Sequence, residues 1–248
     1  MNIAVTVCFV PDSASVIEIA DGAVDRSMLN FVLNPYDEYA LEEAVRQRER
    51  AGAGVVTVFS VAPASFKEPL RKVLAKGADN AVLLPAEGLL DTFRTASILA
   101  EAITAYYGDV MPDLIFAGKQ STDFRSAQVP VMLAEQLGIA SLSGASVLTA
   151  SGRGFDAARD IENGIEYCDI TPPALISVEK GLNTPRNAGI KAVMEARKKP
   201  ITLFDAVCPE KPMVKTACLE PLARKKQCRF LADEKELLRI LAHDRNLF

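Results

Sequence analysis

Hydrophobic positions in this chain fall into short runs separated by longer amphipathic stretches, and that alternation organises its first half. Residues 3–10 are an apolar, β-branched run that reads as a buried strand. Residues 16–33 form two weakly alternating arms around Asp21-Gly22, the pattern of a hairpin insert. Asn34-Pro35 then opens a helix, because asparagine suits the N-cap and proline the first turn. Tyr36, Tyr39, Ala40, Leu41, Ala44 and Val45 supply its apolar side, with Glu42 and Arg46 one turn apart as a solvent pair. The series continues with a strand at 55–61, a helix at 65–75 before Gly77 and a strand at 81–84. A helix from Asp91-Thr92 to about 106, a strand at 114–117 and a helix at 128–137 follow. Such alternation predicts βαβ units and a mostly parallel sheet, which binds ligands at the carboxyl ends of its strands.

After Gly138 the pattern changes. Residues 143–149, 154–160 and 164–170 read as short antiparallel strands joined by Gly and Asn turns, and 174–178 as one more apolar strand after Pro172-Pro173. Residues 181–199 are polar and end on Arg197-Lys198-Lys199. Residues 208–229 have little periodicity, and Leu237, Leu238, Ile240 and Leu241 predict a helix over 233–243. The expected fold class is α/β: a mostly parallel sheet flanked by helices, of adenine-nucleotide-binding type, with antiparallel additions and a C-terminal tail. The expected division is a nucleotide-binding domain with hairpin insertions over 1–205 and a tail and helix for partner contact over 206–248. The pattern alone allows the tail to wrap a partner or to fold back on its own sheet.

Composition narrows the function. A chain of 248 residues that is 49% hydrophobic can bury its core without disulfides or metals. A net charge of −4 argues against nucleic-acid binding, which needs a clustered basic surface. No apolar run approaches a membrane span, so no membrane insertion is expected. Residues 1–10 lack a positively charged n-region, so a cytoplasmic location is expected rather than secretion. The five cysteines are odd in number, and Cys208, Cys218 and Cys228 are spaced too widely for zinc, so no metal site is expected. The single histidine, His243, lies near the C-terminus and makes a His-based triad improbable.

Two motifs fail on context. Gly152-Arg-Gly154-Phe-Asp-Ala157 fits a loose dinucleotide pattern, but the following residues alternate like a hairpin instead of opening a helix. Gly118-Lys119 starts like a P-loop and then has Gln120 where Ser or Thr belongs. What remains is Gly118-Lys-Gln-Ser-Thr-Asp-Phe-Arg-Ser-Ala-Gln128, which leaves a strand and enters a helix. Backbone amides at that helix start can face an anion, with Ser121, Thr122, Ser126 and Gln128 adding polar side chains. The same residues would also serve as a polar loop capping the helix.

The segment Leu33-Asn-Pro-Tyr-Asp-Glu-Tyr-Ala-Leu-Glu-Glu-Ala-Val-Arg46 resembles the Asn-Pro-x-[Asp/Cys]-x-x-Ala-[Val/Leu]-Glu-Glu-Ala segment of electron transfer flavoprotein beta subunits. In the same order come Val10-Pro-Asp12, Phe59-Ser-Val-Ala-Pro63, Gly77-Ala-Asp79, Gly118-Lys-Gln120 with Asp123, Leu182-Asn183, Pro185-Arg186 and Ala196-Arg-Lys-Lys-Pro200. The likeness covers residues 1–201. It implies an electron carrier that pairs with an electron transfer flavoprotein alpha subunit, which holds a redox-active FAD, while the tail wraps that partner. It implies no catalytic residue in this chain.

The resemblance also implies an adenine nucleotide in beta: AMP in most members, and in the electron-bifurcating branch a second FAD that takes hydride from NADH. By position, the cofactor site comprises Thr6, Asn34, Tyr36, Asp37, Val61, Gly118, Lys119, Gln120, Ser121, Thr122, Asp123, Ser126, Ala127, Gln128 and Val129. Simple burial accounts equally well for Thr6 and Val61, and helix capping for Asn34. AMP-type members read Asn-Gln-Thr-Gly in the loop and bifurcating members Thr-Ala-Gln-Val-Gly; Ser126-Ala-Gln-Val-Pro130 is nearer the second, so FAD is expected, with AMP as the alternative. Pro130, Phe124, Arg125 and Cys8 depart from the family pattern, which leaves a structural subunit with an altered or empty site as a competing reading. A stand-alone adenine-nucleotide enzyme would need a glycine-serine loop after the first strand, and Val10-Pro-Asp12 has none. Asn183, Pro185, Arg186 and Ile190 correspond to the loop that docks an acyl-CoA dehydrogenase or another flavin oxidoreductase, although Asn187 and Lys191 depart from its usual Tyr and Pro.

Overall fold

A computed structural model describes residues 1–152, 154–207, 211–220, 228 and 230–244. The opening run is divided: β1 (Asn2–Thr6) is followed by β2 (Phe9–Pro11), the small pair β3 (Ile19–Ala20) and β4 (Ala23–Val24), and β5 (Phe31–Leu33). Then come α1 (Pro35–Ala51), β6 (Val55–Ala62), α2 (Lys67–Leu74), β7 (Asn80–Pro85), α3 (Thr92–Tyr107), β8 (Leu114–Gly118) and α4 (Val129–Leu137). The second half carries β9 (Ala140–Ser151), β10 (Gly154–Ile161), β11 (Gly164–Ile170), β12 (Ala174–Val178), α5 (Ile190–Ala196), β13 (Ile201–Leu203) and α6 (Glu234–Arg239).

The main sheet runs β11-β10-β9-β12-β8-β1-β6-β7-β13, and every pairing from β9 to β13 is parallel. β10 and β11 extend it antiparallel to β9, and β11 is the last strand on that side. Strand pleating sends alternate residues to opposite faces. Ile3 and Val5 join Leu41, Val45, Leu70 and Val73 of α1 and α2 on one face. Ala4 joins Phe59, Ile115, Leu99 and Leu133 on the other, against α3 and α4. The central strands are therefore buried on both sides, which explains why they read as continuous apolar runs.

Three local readings change. Residues 3–10 are two strands: after Thr6 the chain leaves the main sheet, and Phe9–Pro11 pairs antiparallel with Phe31–Leu33. The polar stretch 181–199 contains α5, and β13 adds a parallel edge beside β7; neither was evident from the pattern. Glu42 is buried and bonds Arg186, while Arg46 pairs with Glu43 at 3.6 Å, so the expected Glu42–Arg46 surface pair does not form.

The described residues divide into two compact units, Met1–Ile17 with Arg26–Ala217, and Glu18–Asp25 with the segment from Cys218 onward. In the smaller unit β3 and β4 turn at Asp21 and Gly22, whose φ values of 50° and 75° are both left-handed, as a two-residue hairpin turn requires. There α6 starts at Asp233, whose carboxylate accepts from the Glu236 amide at 2.8 Å. Cys208, residues 221–227 and Arg229 of the expected tail, and Arg153 of the loose glycine motif, lie outside the described residues. Gly154 itself opens a strand, which removes that motif as a phosphate loop.

Candidate functional site

From β1 the sheet grows through β6 and β7 to one side, while β8, β12 and β9 lie on the other. The strand order reverses between β1 and β8, and the crevice at their carboxyl ends is where an open α/β sheet binds ligands. Asp37, in the first turn of α1, closes the floor of that crevice. Its carboxylate accepts from the Cys8 amide at 2.8 Å and from the Gly118 amide at 3.1 Å, so one side chain grips the ends of both strands. Asp37 is 4% exposed, and burial pushes its carboxyl up to about 7 against the lowering effect of these hydrogen bonds. Burial, and then the Asp37 charge, also push the Cys8 thiol well above its usual range.

Asn34 serves the loop rather than its own helix. It stands at the N-cap without a side-chain cap bond. Its amide group donates to the Gln120 carbonyl at 3.0 Å and its oxygen accepts from the Thr122 amide at 3.3 Å. The Gln120 side chain donates to the Tyr36 hydroxyl at 3.4 Å. Gly118 has to be glycine, because a Cβ there would lie 2.3 Å from an Asp37 oxygen and 2.7 Å from the Tyr36 Cβ. Asn34, Tyr36, Asp37, Gly118, Gln120 and Thr122 thus form one network.

Further along the loop, Lys119 pairs with Glu179 at 2.6 Å, and the Asp123 carboxylate accepts from the Phe124 amide at 2.8 Å. Ser121 accepts the Arg125 amide at 3.1 Å, and the Thr122 carbonyl accepts the Arg125 guanidinium at 3.4 Å. Arg125 and Ala127 both hold left-handed backbone, with φ of 53° and 54°. For residues with a Cβ that costs on the order of 1 kcal/mol each, the kind of strain found at ligand clamps. Gln128 accepts from the Thr92 hydroxyl at 2.8 Å, and Val129 begins α4. Ser126 is exposed and Ala127 half-buried beside them. Phe124 is 56% exposed, whereas Pro130 is buried in the first turn of α4. Thr6 is buried at the end of β1, and Val61 is half-buried in β6 against the α3–α4 side of the core.

Sequence reasoning missed Asp91, Thr92 and Glu179. Asp91 caps α3 by accepting from the Arg94 amide at 3.0 Å and also accepts from the amides of Met213 and Val214, at 2.5 and 3.0 Å. Asp91-Thr92 was legible as a helix start; its second role has no local signal.

The expected docking residues divide by direction. Asn183 donates to the Tyr39 carbonyl at 3.0 Å and to Glu43 at 3.1 Å. Arg186 bridges two acids of α1, Glu42 at 2.8 Å and Glu49 at 2.7 Å. Bonding to Arg186 holds the Glu49 carboxyl below its usual range. Both residues face inward and fix the loop, with Pro185 half-buried between them. Ile190 opens α5 and is 84% exposed.

A second exposed apolar surface lies on the antiparallel strands. Val147 and Tyr167, 53% and 80% exposed, stand in register on either side of the buried Ala158 across β9, β10 and β11. Among the described residues no group of three or more His, Cys, Asp or Glu could hold a metal, and no helix is long and apolar enough to cross a membrane.

The electron transfer flavoprotein domain model matches residues 21–207. The chain is 37% identical to the electron transfer flavoprotein subunit beta of Bradyrhizobium diazoefficiens over 182 residues, 73% of this chain and 72% of that one. It is 32% identical to the Syntrophomonas wolfei subunit beta, covering 85% and 82% of the two chains. Its identity to the Bacillus subtilis subunit beta is 35%, covering 81% and 77%.

Proposed function

The chain belongs to the electron transfer flavoprotein beta-subunit family, and from that premise we propose that it binds an adenine nucleotide in the β1–β8 crevice and carries electrons as one half of an alpha/beta heterodimer. The observation that carries the reading is the Asn34–Asp37 network, which holds the loop after β8 over the crevice at the strand-order reversal. The residues fit such a ligand. Gln120, Ser121 and Ser126 offer hydrogen bonds, and the amides of Val129 and Val131 in the first turn of α4 together with Arg125 offer positive charge for phosphate.

The nucleotide we assign is FAD, on the sequence Ser126-Ala-Gln-Val129 at the helix start. A bound flavin supplies the redox chemistry; this chain supplies position, electrostatics and exclusion of water. No acid, base or nucleophile of the chain takes part. The exposed pair Val147 and Tyr167 and the outward-facing Met213 and Val214 are surfaces for the alpha subunit. Ile190 is the contact for an acyl-CoA dehydrogenase or another flavin oxidoreductase. The location we assign is the cytoplasm.

A second reading has its own observation: the loop already satisfies many of its polar groups internally, through Tyr36–Gln120, Asn34–Thr122 and Thr92–Gln128. On that reading the subunit is structural and its site is empty. Denaturing the purified heterodimer and quantifying released FAD and AMP separates the cases. Two FAD per heterodimer supports the assignment, one FAD with one AMP replaces FAD by AMP in beta, and one FAD alone supports the empty site.

A further inference from the structure

Gln128 stands at the N-cap of α4 and does not cap it: its side chain makes no bond to the amides of its own helix. It reaches across to α3 instead, where its carbonyl oxygen accepts from the Thr92 hydroxyl at 2.8 Å. An amide side chain has one acceptor oxygen and two N–H donors. With the oxygen committed to Thr92, the N–H groups are the end that a ligand meets.

That orientation matters at this helix start. A helix opens with orphan N–H groups that favour an anion. In α4 the second position is Pro130, which has no N–H, so Val129 and Val131 supply the free amides of the first turn. A Gln128 amide turned N–H outward adds the donor that proline takes away. Turned the other way, it would set an oxygen against the same anion.

Thr92 can hold this orientation because its own place is fixed. It is the first residue of α3, and Asp91 before it accepts from the amides of Arg94, Met213 and Val214, at 3.0, 2.5 and 3.0 Å. One carboxylate thus ties the helix start to the segment at 213–214, right beside Thr92. The contacts run from Asp91 through Thr92 to Gln128, and of the three only Gln128 needs to touch a ligand.

We propose that Thr92 is a positioning residue for the nucleotide: its hydroxyl fixes the Gln128 amide so that the N–H end donates to a phosphate oxygen of the ligand. This rests on the nucleotide reading above and adds how the loop tells a phosphorylated ligand from a bare nucleoside. A hydrogen bond to a charged oxygen is about twice as strong as one between neutral groups. A misturned Gln128 therefore costs affinity for the phosphate and little for base or ribose.

The test uses the alpha/beta heterodimer, freed of its beta-site nucleotide by repeated dilution and ultrafiltration. It is titrated by calorimetry with AMP, the portion that AMP and FAD share, and with adenosine. Thr92→Val removes the hydroxyl, Thr92→Ser keeps it, and Gln128→Ala removes the amide. We expect Thr92→Val to raise the Kd for AMP about tenfold and that for adenosine less than about twofold, with Thr92→Ser binding as the wild type does. Because Thr92 acts through Gln128, Thr92→Val/Gln128→Ala should bind AMP as Gln128→Ala does. A multiplied loss in the double variant would mean that Thr92 touches the ligand itself. An equal loss for AMP and adenosine would mean that it only shapes the crevice. Either result, or an unchanged Kd for AMP in Thr92→Val, overturns the proposal and leaves the nucleotide reading standing. If the wild type releases no beta-site nucleotide on denaturation and binds no AMP, the nucleotide reading falls and this proposal with it.

Discussion

The crevice between β1 and β8 and the outward face of α5 are built by opposite rules. In the crevice the decisive side chains are buried: Asn34 and Asp37 are at most 4% exposed and spend their hydrogen bonds on backbone. Around α5 the cations of Arg71 and Lys199 bond backbone carbonyls at the helix base, and the apolar side chains of α5 turn to solvent. One region invests its polar groups in holding the shape of a crevice. The other invests them in holding apolar residues out of the core, where a second protein can reach them. Substitutions should therefore damage stability in the first and recognition in the second.

The largest effect should come from Gly118→Ala, because the new Cβ meets an Asp37 oxygen and the Tyr36 backbone with no room to yield. We expect a loss of about 3 kcal/mol in urea unfolding. A loss below ~0.5 kcal/mol would show that the floor of the crevice can move.

Asp37→Asn comes next, at about 2 kcal/mol near pH 6, because an amide cannot accept from both the Cys8 and Gly118 N–H groups. The cost should shrink toward pH 8. The folded carboxyl sits at about 7, above its unfolded value near 4, so the native state holds the extra proton between those values. The contribution of Asp37 is complete below the unfolded value and is lost as pH rises through about 7. Unfolding midpoints of wild type and variant at pH 5, 6, 7 and 8 should converge; parallel curves would exclude a raised Asp37.

Arg186→Ala leaves the buried Glu42 without its cation and should cost about 2 kcal/mol. Glu49 gives the opposite pH signature. Its carboxyl is held low chiefly by its bond to Arg186, so its contribution is present above the ordinary glutamate range and lost as pH falls. Acid titration of stability should be shallower in the variant. The smallest effect on stability is Ile190→Ala, under ~0.5 kcal/mol, since the side chain buries little in this chain. A larger loss in the isolated protein would mean that Ile190 packs against its own fold.

The parallel half of the fold was legible because its signals are local: β-branched runs, capping residues and helix-ending glycines each repeat at the expected place. Asp91, for example, caps α3 as its position before Thr92 implied. The misses occur where contact partners are remote in sequence. Glu42 reads as a surface residue until Arg186, far along the chain, reaches it. Helix α5 is too short to announce itself within a polar stretch, although Ala192 and Ala196 behind Ile190, Val193 and Met194 fit a helical period. For the site, the place of the loop between a strand and a helix was readable, but the central part of Asp37 was not: nothing local says that one carboxylate will bind the ends of two separate strands.

The position of β11 at the end of the sheet has a consequence for how the protein is made. An outermost strand leaves a row of amides and carbonyls able to pair with any similar strand, and here Tyr167 and Ile165 add exposed apolar side chains to it. A cell making more of this chain than of its alpha subunit would accumulate copies able to add strand to strand. On the proposed pairing, in which the alpha subunit covers this edge, balanced synthesis of the two subunits becomes a condition of solubility as well as of assembly, and the yield of dispersed protein should follow the dose of the alpha subunit.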